Sequence, residues 1–414
     1  MTETLPKEQP AIAGLKPLVT TVFVPAAIFG IGQGAAAPIM AVTARDLGAS
    51  VAVAGLIVAL GGLGAVLGDL PAGRIVSRFG ERRSIIGGSS LGATGVVICL
   101  LAQTPWMLGI GALLTGLANA VWGLARQSYL AETVPLGLRA RAMSSFAAMW
   151  RLGFFLGPLI GAGVILLVGA RGGFLVQLVG VVLAGALMAR VPDPPRKVQA
   201  GNSDHGHVTL PEILRRHRAA LSTLGTGSLL MGAARASREA VLPLWALHLG
   251  LDAAQVSVIF GIGAAVDLLC SYPAGHIMDR YGRRLVAVPS LTVIGVSYLL
   301  LPFSTGAVGL TVVAVVMGIG NGIGNGLGNG VIMTLGADIA PPEERAEFLA
   351  AWRLTHDTGM FGGPLAIGLL AAVLPLGWAF AALGATSFAG AAMMFRFIPV
   401  YSPRVSPRSR VGKL

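Results

Sequence analysis

Long apolar runs alternate with short polar connections along this chain. Twelve runs stand out, near 18–44, 51–74, 84–102, 107–130, 143–168, 173–189, 219–247, 254–277, 285–303, 306–336, 346–372 and 376–397. Most reach the roughly 18 nearly uncharged residues that a helix needs to cross a bilayer. Strands of a membrane barrel would alternate apolar and polar positions in segments of about 10 residues. These runs do not alternate. The pattern predicts an all-α membrane protein of twelve transmembrane helices. The first run is too long for the roughly 7–15-residue apolar core of a signal peptide, so it is expected to be a retained span.

The connections order the spans. Those leaving odd-numbered spans, such as "AQTPW" and "LPLGW", are short and uncharged. Those leaving even-numbered spans are basic: "GRIVSRFGERR", "LGLRARA", "HIMDRYGRR" and a long segment ending in "RRHR". The C-terminal tail adds Arg404, Arg408, Arg410 and Lys413, whereas the opposite side holds Arg45 and Arg171. Basic loops stay in the cytoplasm. A multi-pass protein of the inner (cytoplasmic) cell membrane is expected, with both termini cytoplasmic. The polar connection 190–218 divides the chain. The expected units are a tail at 1–17, a six-helix bundle at 18–189, a cytoplasmic linker at 190–218, a second bundle at 219–397, and a basic tail at 398–414.

The two halves repeat each other. "LPAGRIVSRFGERR" at 70–83 matches "YPAGHIMDRYGRRL" at 272–285, offset by 202 residues. "AETVPLGLRA" at 131–140 matches "ADIAPPEERA" at 337–346, and Gly157-Pro158 matches Gly363-Pro364, both offset by 206. "WRL" recurs at 150–152 and 352–354, offset by 202. Repeats of this kind build transporters whose halves rock about a midplane site.

Composition agrees. Of 414 residues 54% are hydrophobic and 12% charged, about half the charged share of a soluble domain. The net charge of +12 follows from the basic loops, so no nucleic-acid partner is expected. Cys99 and Cys270 lie within apolar runs and imply neither a disulfide framework nor a metal site. No constellation offers a nucleophile with base and orienter; no enzyme activity and no cofactor are expected. His205 and His207 fall in the polar linker.

Two motifs carry a resemblance to the major facilitator superfamily, and within it to the twelve-span drug:proton antiporters. The loop after span 2 resembles G-x-x-x-D-R-x-G-R-R, with Gly73, Arg78, Gly80, Arg82 and Arg83 in place and Ser77 for the aspartate. Its second copy, Gly275, Asp279, Arg280, Gly282, Arg283 and Arg284, keeps the aspartate. In the family this loop gates the cytoplasmic side, and Asp69 is expected to partner its arginines. Span 5 reads Gly153-x-x-x-Gly157-Pro158-x-x-Gly161-Ala162, similar to the antiporter motif G-x-x-x-G-P-x-x-G-G. Small residues at this spacing also let helices approach closely. The family's span-4 motif is unmatched: Ala112 stands where its arginine would be, and Arg126 comes later in the span.

The resemblance implies two pseudo-symmetric six-helix bundles around a central cavity lined by spans 1, 4, 7 and 10. Candidate cavity residues are Gln33, Asn119, Trp122, Arg126, Arg235, Arg238, Asn321, Asn325 and Asn329, with Arg353 of span 11. Three of these belong to "GIGNGIGNGLGNG", residues 318–330. Lipid-exposed loops are not tolerated at this depth, so the run is read as a bendable helix. It would carry Ile319, Ile323, Leu327 and Val331 on one face and the asparagines on the opposite one. Trp122, Trp150, Trp245 and Trp352 are candidates for stacking on substrate or for packing.

Ionisable groups within spans are costly and usually functional. Asp267 has uncharged neighbours in "GIGAAVDLLCSYP", a setting that favours a neutral, protonated carboxyl. It is the first candidate for proton coupling, followed by Glu239, Asp357 and His356. Arg235 and Glu239, at i and i+4, are expected to pair, and Arg353, His356 and Asp357 to form a relay. The expected function is secondary transport by alternating access: proton-coupled efflux of small amphiphilic compounds. Carriage of one defined metabolite, a sugar or an organic anion, is the alternative. The expected partners are a small-molecule substrate, protons and the lipid bilayer, with the chain a monomer.

Overall fold

The computed structural model describes residues 18–190, 210–326, 330–341 and 344–401. They form helices, with no strand among them. The first half comprises α1 (Val24–Asp46), α2 (Val51–Phe79), α3 (Glu81–Leu101), α4 (Pro105–Thr133), α5 (Leu136–Val168) and α6 (Gly172–Ala189). The second comprises α7 (Thr226–His248), α8 (Ala253–Tyr281), α9 (Arg284–Leu300), α10 (Gly306–Asn325), α11 (Gly330–Ile339), α12 (Arg345–Val373) and α13 (Leu376–Tyr401). A short helix, Leu210–Arg216, and a π-helical turn, Leu221–Gly225, precede α7.

Ten helical stretches among the described residues are long and apolar enough to cross a membrane, α10 and α11 counting as one. The two long helices outside that set, α7 and α12, hold Arg235, Arg238 and Glu239, and Arg353, His356 and Asp357. Apolarity was given up where charge is concentrated. Leu166 and Leu167 stay 77% and 84% exposed; side chains of this kind are the surface that a bilayer would cover.

Helix boundaries follow local chemistry. Ser50 and Asp252 cap α2 and α8, and Asp252 forms a reciprocal capping box with Gln255. The turns from α2 to α3 and from α8 to α9 pass through Gly80 (φ +83°) and Gly282 (φ +96°), a backbone region that glycine enters without a Cβ penalty.

The halves are built alike. In the first, α1 packs on α5 and α6, and α4 on α2 and α3. In the second, α7 packs on α12 and α13, and α10 on α8 and α9. Glycine backbones set the closest approaches: a methyl group on Gly153 would collide with the Ala27 carbonyl, and one on Gly359 with the Leu229 carbonyl. Gly157 and Gly363 stand likewise against Ile31 and Ala233. Gly161 lies near Ala35, and the Pro158 side chain near Gly261 of α8. The span-5 motif thus serves close packing, and Gly359-Gly363 is its counterpart. The halves meet along two seams, α2 on α12 and α5 on α8, with α1 touching α7 between them.

The glycine–asparagine run corrects one expectation. It is not a continuous helix. α10 ends at Asn325, Gly326 takes φ +52°, and α11 restarts at Gly330 with φ +70°. Each interior glycine costs a helix up to about 1 kcal/mol relative to alanine, and seven of thirteen residues here are glycine. The four-residue ridges therefore do not run through; Leu327 and Asn329 lie outside the described residues.

Candidate functional site

The carboxylate of Asp267 sits at the centre of the second half. Asn321 donates from Nδ2 to its Oδ2 at 2.6 Å, and Asn325 from Nδ2 to its Oδ1 at 3.0 Å. Arg238 Nη1 lies 3.7 Å from Oδ2. Arg235 donates from Nε to Asn321 Oδ1 at 2.8 Å. Arg151 reaches across the α5–α8 seam and donates to the Gly326 carbonyl at 2.7 Å, where the helix break frees it. It also reaches the Asn325 carbonyl at 3.5 Å. A guanidinium at a helix C-terminus satisfies both the open carbonyls and the helix dipole.

The expectation of an uncharged surround for Asp267 is therefore wrong. Its chain neighbours are uncharged, but Arg238 contacts it, and Arg151 and Arg235 lie within its electrostatic reach. A small cavity beside it is lined by Arg235, Arg238, Tyr298, Ile294, Met317 and Asn321. Arg238 stacks 5.2 Å from the Phe260 ring centroid, and its buried Nε has no hydrogen-bond partner among the described residues. Tyr298 donates its hydroxyl to the Ala234 carbonyl.

The first half carries a neutral counterpart. Gln33 and Asn119 exchange amide hydrogen bonds of 3.1 and 3.3 Å. Gln33 stands 202 residues before Arg235, Asn119 202 before Asn321, Ala36 202 before Arg238 and Ala65 202 before Asp267.

A second charged group spans the α2–α12 seam. Arg353 Nη2 lies 3.4 Å from Asp69 Oδ1, and its Nε 3.3 Å from Asp357 Oδ2. Asp69 was expected to partner loop arginines; its ion pair is with an arginine of the other half.

Other candidates fall elsewhere. Arg235 does not pair with Glu239, because its Nε is turned to Asn321; the charge acting on Glu239 is that of Arg238. The Arg353–His356–Asp357 relay is not assembled. His356 is buried toward α7 with Nδ1 3.2 Å from the Ser228 carbonyl, on a different face of α12 from Asp357. Trp122 is fully buried, stacked on Phe29 at 3.9 Å, so it is core rather than a stacking platform. Arg126 is held against Trp122 and Phe146, at 4.6 and 3.4 Å from the ring centroids. Trp245 and Trp352 are core residues that donate to Ser304 and to the Ile332 carbonyl.

At the loops, Arg283 pairs with Asp338 at 2.9 Å and with Asp279 at 3.8 Å. Arg78, Arg280 and Arg284 lie over Phe79, Tyr281 and Phe395. Gly73 has open space around it. The sequence reading passed over Arg151 as a site residue; its place in the repeated "WRL" was the available signal. It also passed over Glu81, whose Oε1 accepts from Ser128 at 2.9 Å.

The Major Facilitator Superfamily profile matches residues 22–266 and 224–413, covering both halves. The chain belongs to that superfamily. Members of the Major Facilitator Superfamily carry small molecules across membranes, so this is a multi-pass membrane transporter. It is 31% identical over 182 residues to multidrug resistance protein MdtG of Enterobacter lignolyticus (strain SCF1). That match covers 42% of this chain and 43% of the relative, so it spans under half the length of MdtG. It is 23% identical over 379 residues to the uncharacterized MFS-type transporter MJ1560 of Methanocaldococcus jannaschii, covering 90% of this chain and 92% of the relative. A crystal structure of the nucleoside transporter NupG superposes with a TM-score of 0.73 at 16% identity, over 93% of this chain and 100% of that one. A POT family transporter bound to a thioalcohol-conjugated peptide gives 0.73 at 15% identity, over 94% and 97%. At such identities the likeness is one of fold. It fits two pseudo-symmetric bundles.

Proposed function

We propose that this Major Facilitator Superfamily member is a proton-coupled exporter of small amphiphilic compounds, working by alternating access. The observation that carries the reading is Asp267, a carboxylate in the middle of a membrane-spanning helix. It is held by two amides and faces a seam between the halves. An intramembrane acid that can pair with an arginine or take a proton is a coupling site in chemical terms. The partial likeness to MdtG supports export.

The proposed cycle has two steps. Substrate entering from the cytoplasm displaces the proton on Asp267, and reprotonation from outside drives substrate release. The units 18–189 and 219–397 rock as bodies about the seams. The loops at Gly73–Arg83 and Gly275–Arg284 gate the cytoplasmic face, where the basic loops and both termini lie. The chain acts as a monomer in the inner membrane.

One observation favours a second reading. Arg151, Arg235 and Arg238 surround a single Asp267, and this surplus of positive charge suits an organic anion. An anion taking Arg238 from Asp267 would promote proton uptake, whereas an exchanged cation would promote proton release.

The test uses everted vesicles acidified inside and a pH dye. The panel is a lipophilic quaternary cation, a neutral amphiphile and an aromatic carboxylate. Compound-triggered proton efflux that is lost in Asp267→Asn supports the proposal. Efflux that persists in the variant moves coupling to another carboxylate.

A further inference from the structure

The α2–α12 seam holds two carboxylates and one arginine. Asp69 and Asp357 each contact Arg353, at 3.4 and 3.3 Å. Both carboxyl groups thus face a single guanidinium, two negative charges against one positive. A second like charge at one site disfavours ionisation of both carboxyls. One proton on the pair leaves the group of three with no net charge.

Among the described residues, Arg353 is the cation paired with the two carboxylates. The charges acting on the pair are their own and that of Arg353. On α7, Arg235 is turned to Asn321, Arg238 to Asp267 and Glu239 to Arg238, while His248 ends the helix beside Trp245. His356 of α12 faces Ser228. On α4, Arg126 lies against Trp122 and Phe146, and Glu132 belongs to the last turn of the helix. α1 carries Arg45 and Asp46 at one end, α13 carries Arg396 against Phe397, and Arg74 and Arg78 of α2 lie further toward the loop. Arg345 and Glu347 begin α12.

The opposite seam shows the contrast. Arg151 precedes Gly153 by two residues, as Asp357 precedes Gly359. Both glycines occupy the same place in their packing ladders. At equivalent levels one seam therefore presents a guanidinium and the other a carboxyl. Side-chain exposures of 28% for Asp69 and 41% for Arg353 leave the group reachable by water.

We propose that Asp69 and Asp357 form a proton-binding site separate from Asp267, in which one shared proton holds the α2–α12 seam closed. The proton moves from water to one carboxylate oxygen and forms an O–H···O bond to the other. Its loss leaves two carboxylates facing each other across the halves, and the seam loosens. The site deepens the reading of a proton-coupled carrier and rests on it for its use in transport.

Infrared difference spectroscopy of the full chain in lipid nanodiscs tests the site without any substrate. At mildly acidic pH a protonated-carboxyl component of one group per protein is expected from this site, beside that of Asp267. It should disappear in both Asp69→Asn and Asp357→Asn, and return, shifted, in Asp357→Glu. It should persist in Asp267→Asn, so failure of this site and failure of the coupling carboxylate are distinguishable. Spin labels at Phe79→Cys and Glu347→Cys, with the native cysteines replaced, report the seam. Their separation should lengthen on alkalinisation and stay at its acid value in Asp69→Asn/Asp357→Asn. A band unchanged in both single variants, or the same pH response in the double variant, would overturn the proposal.

Discussion

Gln33–Asn119 and Arg235–Asn321 occupy one place in the two halves, and each pair is 86 residues apart in the chain. The first is a neutral amide pair. The second belongs to a network with Asp267, Arg238 and Asn325, for which the first half has Ala65, Ala36 and Gly123. Duplication preserved the scaffold, the glycine ladders and the left-handed turns. At this place charge was concentrated in one copy. In this account the second half holds the coupling carboxylate, the first half sets a neutral amide pair at the matching place, and Asp69 and Arg151 of the first half meet the second half at the two seams.

Variants can break that comparison. The largest effect is expected from Asp267→Asn. Its amide keeps the size of the side chain and part of its bonding, so the protein should fold, while proton-coupled flux should fall by about tenfold or more. Vesicle flux measured beside folded yield checks this. Gly359→Val and Gly153→Val come next. Each drives a side chain into a neighbouring backbone, with a cost of about 1–3 kcal/mol. Thermal unfolding should show similar losses in the two halves, because the ladders are equivalent; a one-sided loss would contradict the shared scaffold.

Arg151→Gln should cost no more than these. It uncovers the Asn325 and Gly326 carbonyls, worth about 1–3 kcal/mol for unsatisfied buried groups, and hydrogen exchange near 322–332 should rise. Gln33→Leu should do least. Interhelical hydrogen bonds in membranes average about 0.6 kcal/mol, and coupling should persist. If Gln33→Leu abolished proton flux as Asp267→Asn does, the two halves would be functionally equal and the comparison would fail.

Much of the scaffold was legible. The apolar runs and the repeated "PAG…RxGxR" loops mark the helices and the turns at Gly80 and Gly282. Asp267 was legible as an isolated intramembrane acid. Its surroundings were not. The asparagines that hold it lie 54 and 58 residues away, and Asp69 lies 284 residues from Arg353. Chain neighbours describe one face of one helix, whereas the field at a buried carboxylate comes from helices packed against it. The break at Gly326 was half legible: glycine content allowed it, but the arginine that donates to the freed carbonyls comes from the other half. The two offsets, 202 for "WRL" and 206 for Gly-Pro, were visible in the sequence. Their meaning needed the glycine ladders, which place Arg151 level with Asp357 and Arg353 one turn away.

The most direct test of the unequal halves is proton release on substrate binding. Purified protein in weakly buffered detergent, with a pH dye, receives whichever compound the vesicle panel identifies. The account predicts about one proton released per bound substrate in the native protein and in Gln33→Leu, and none in Asp267→Asn. Undiminished release from Asp267→Asn, or proton uptake by the native protein, would contradict it.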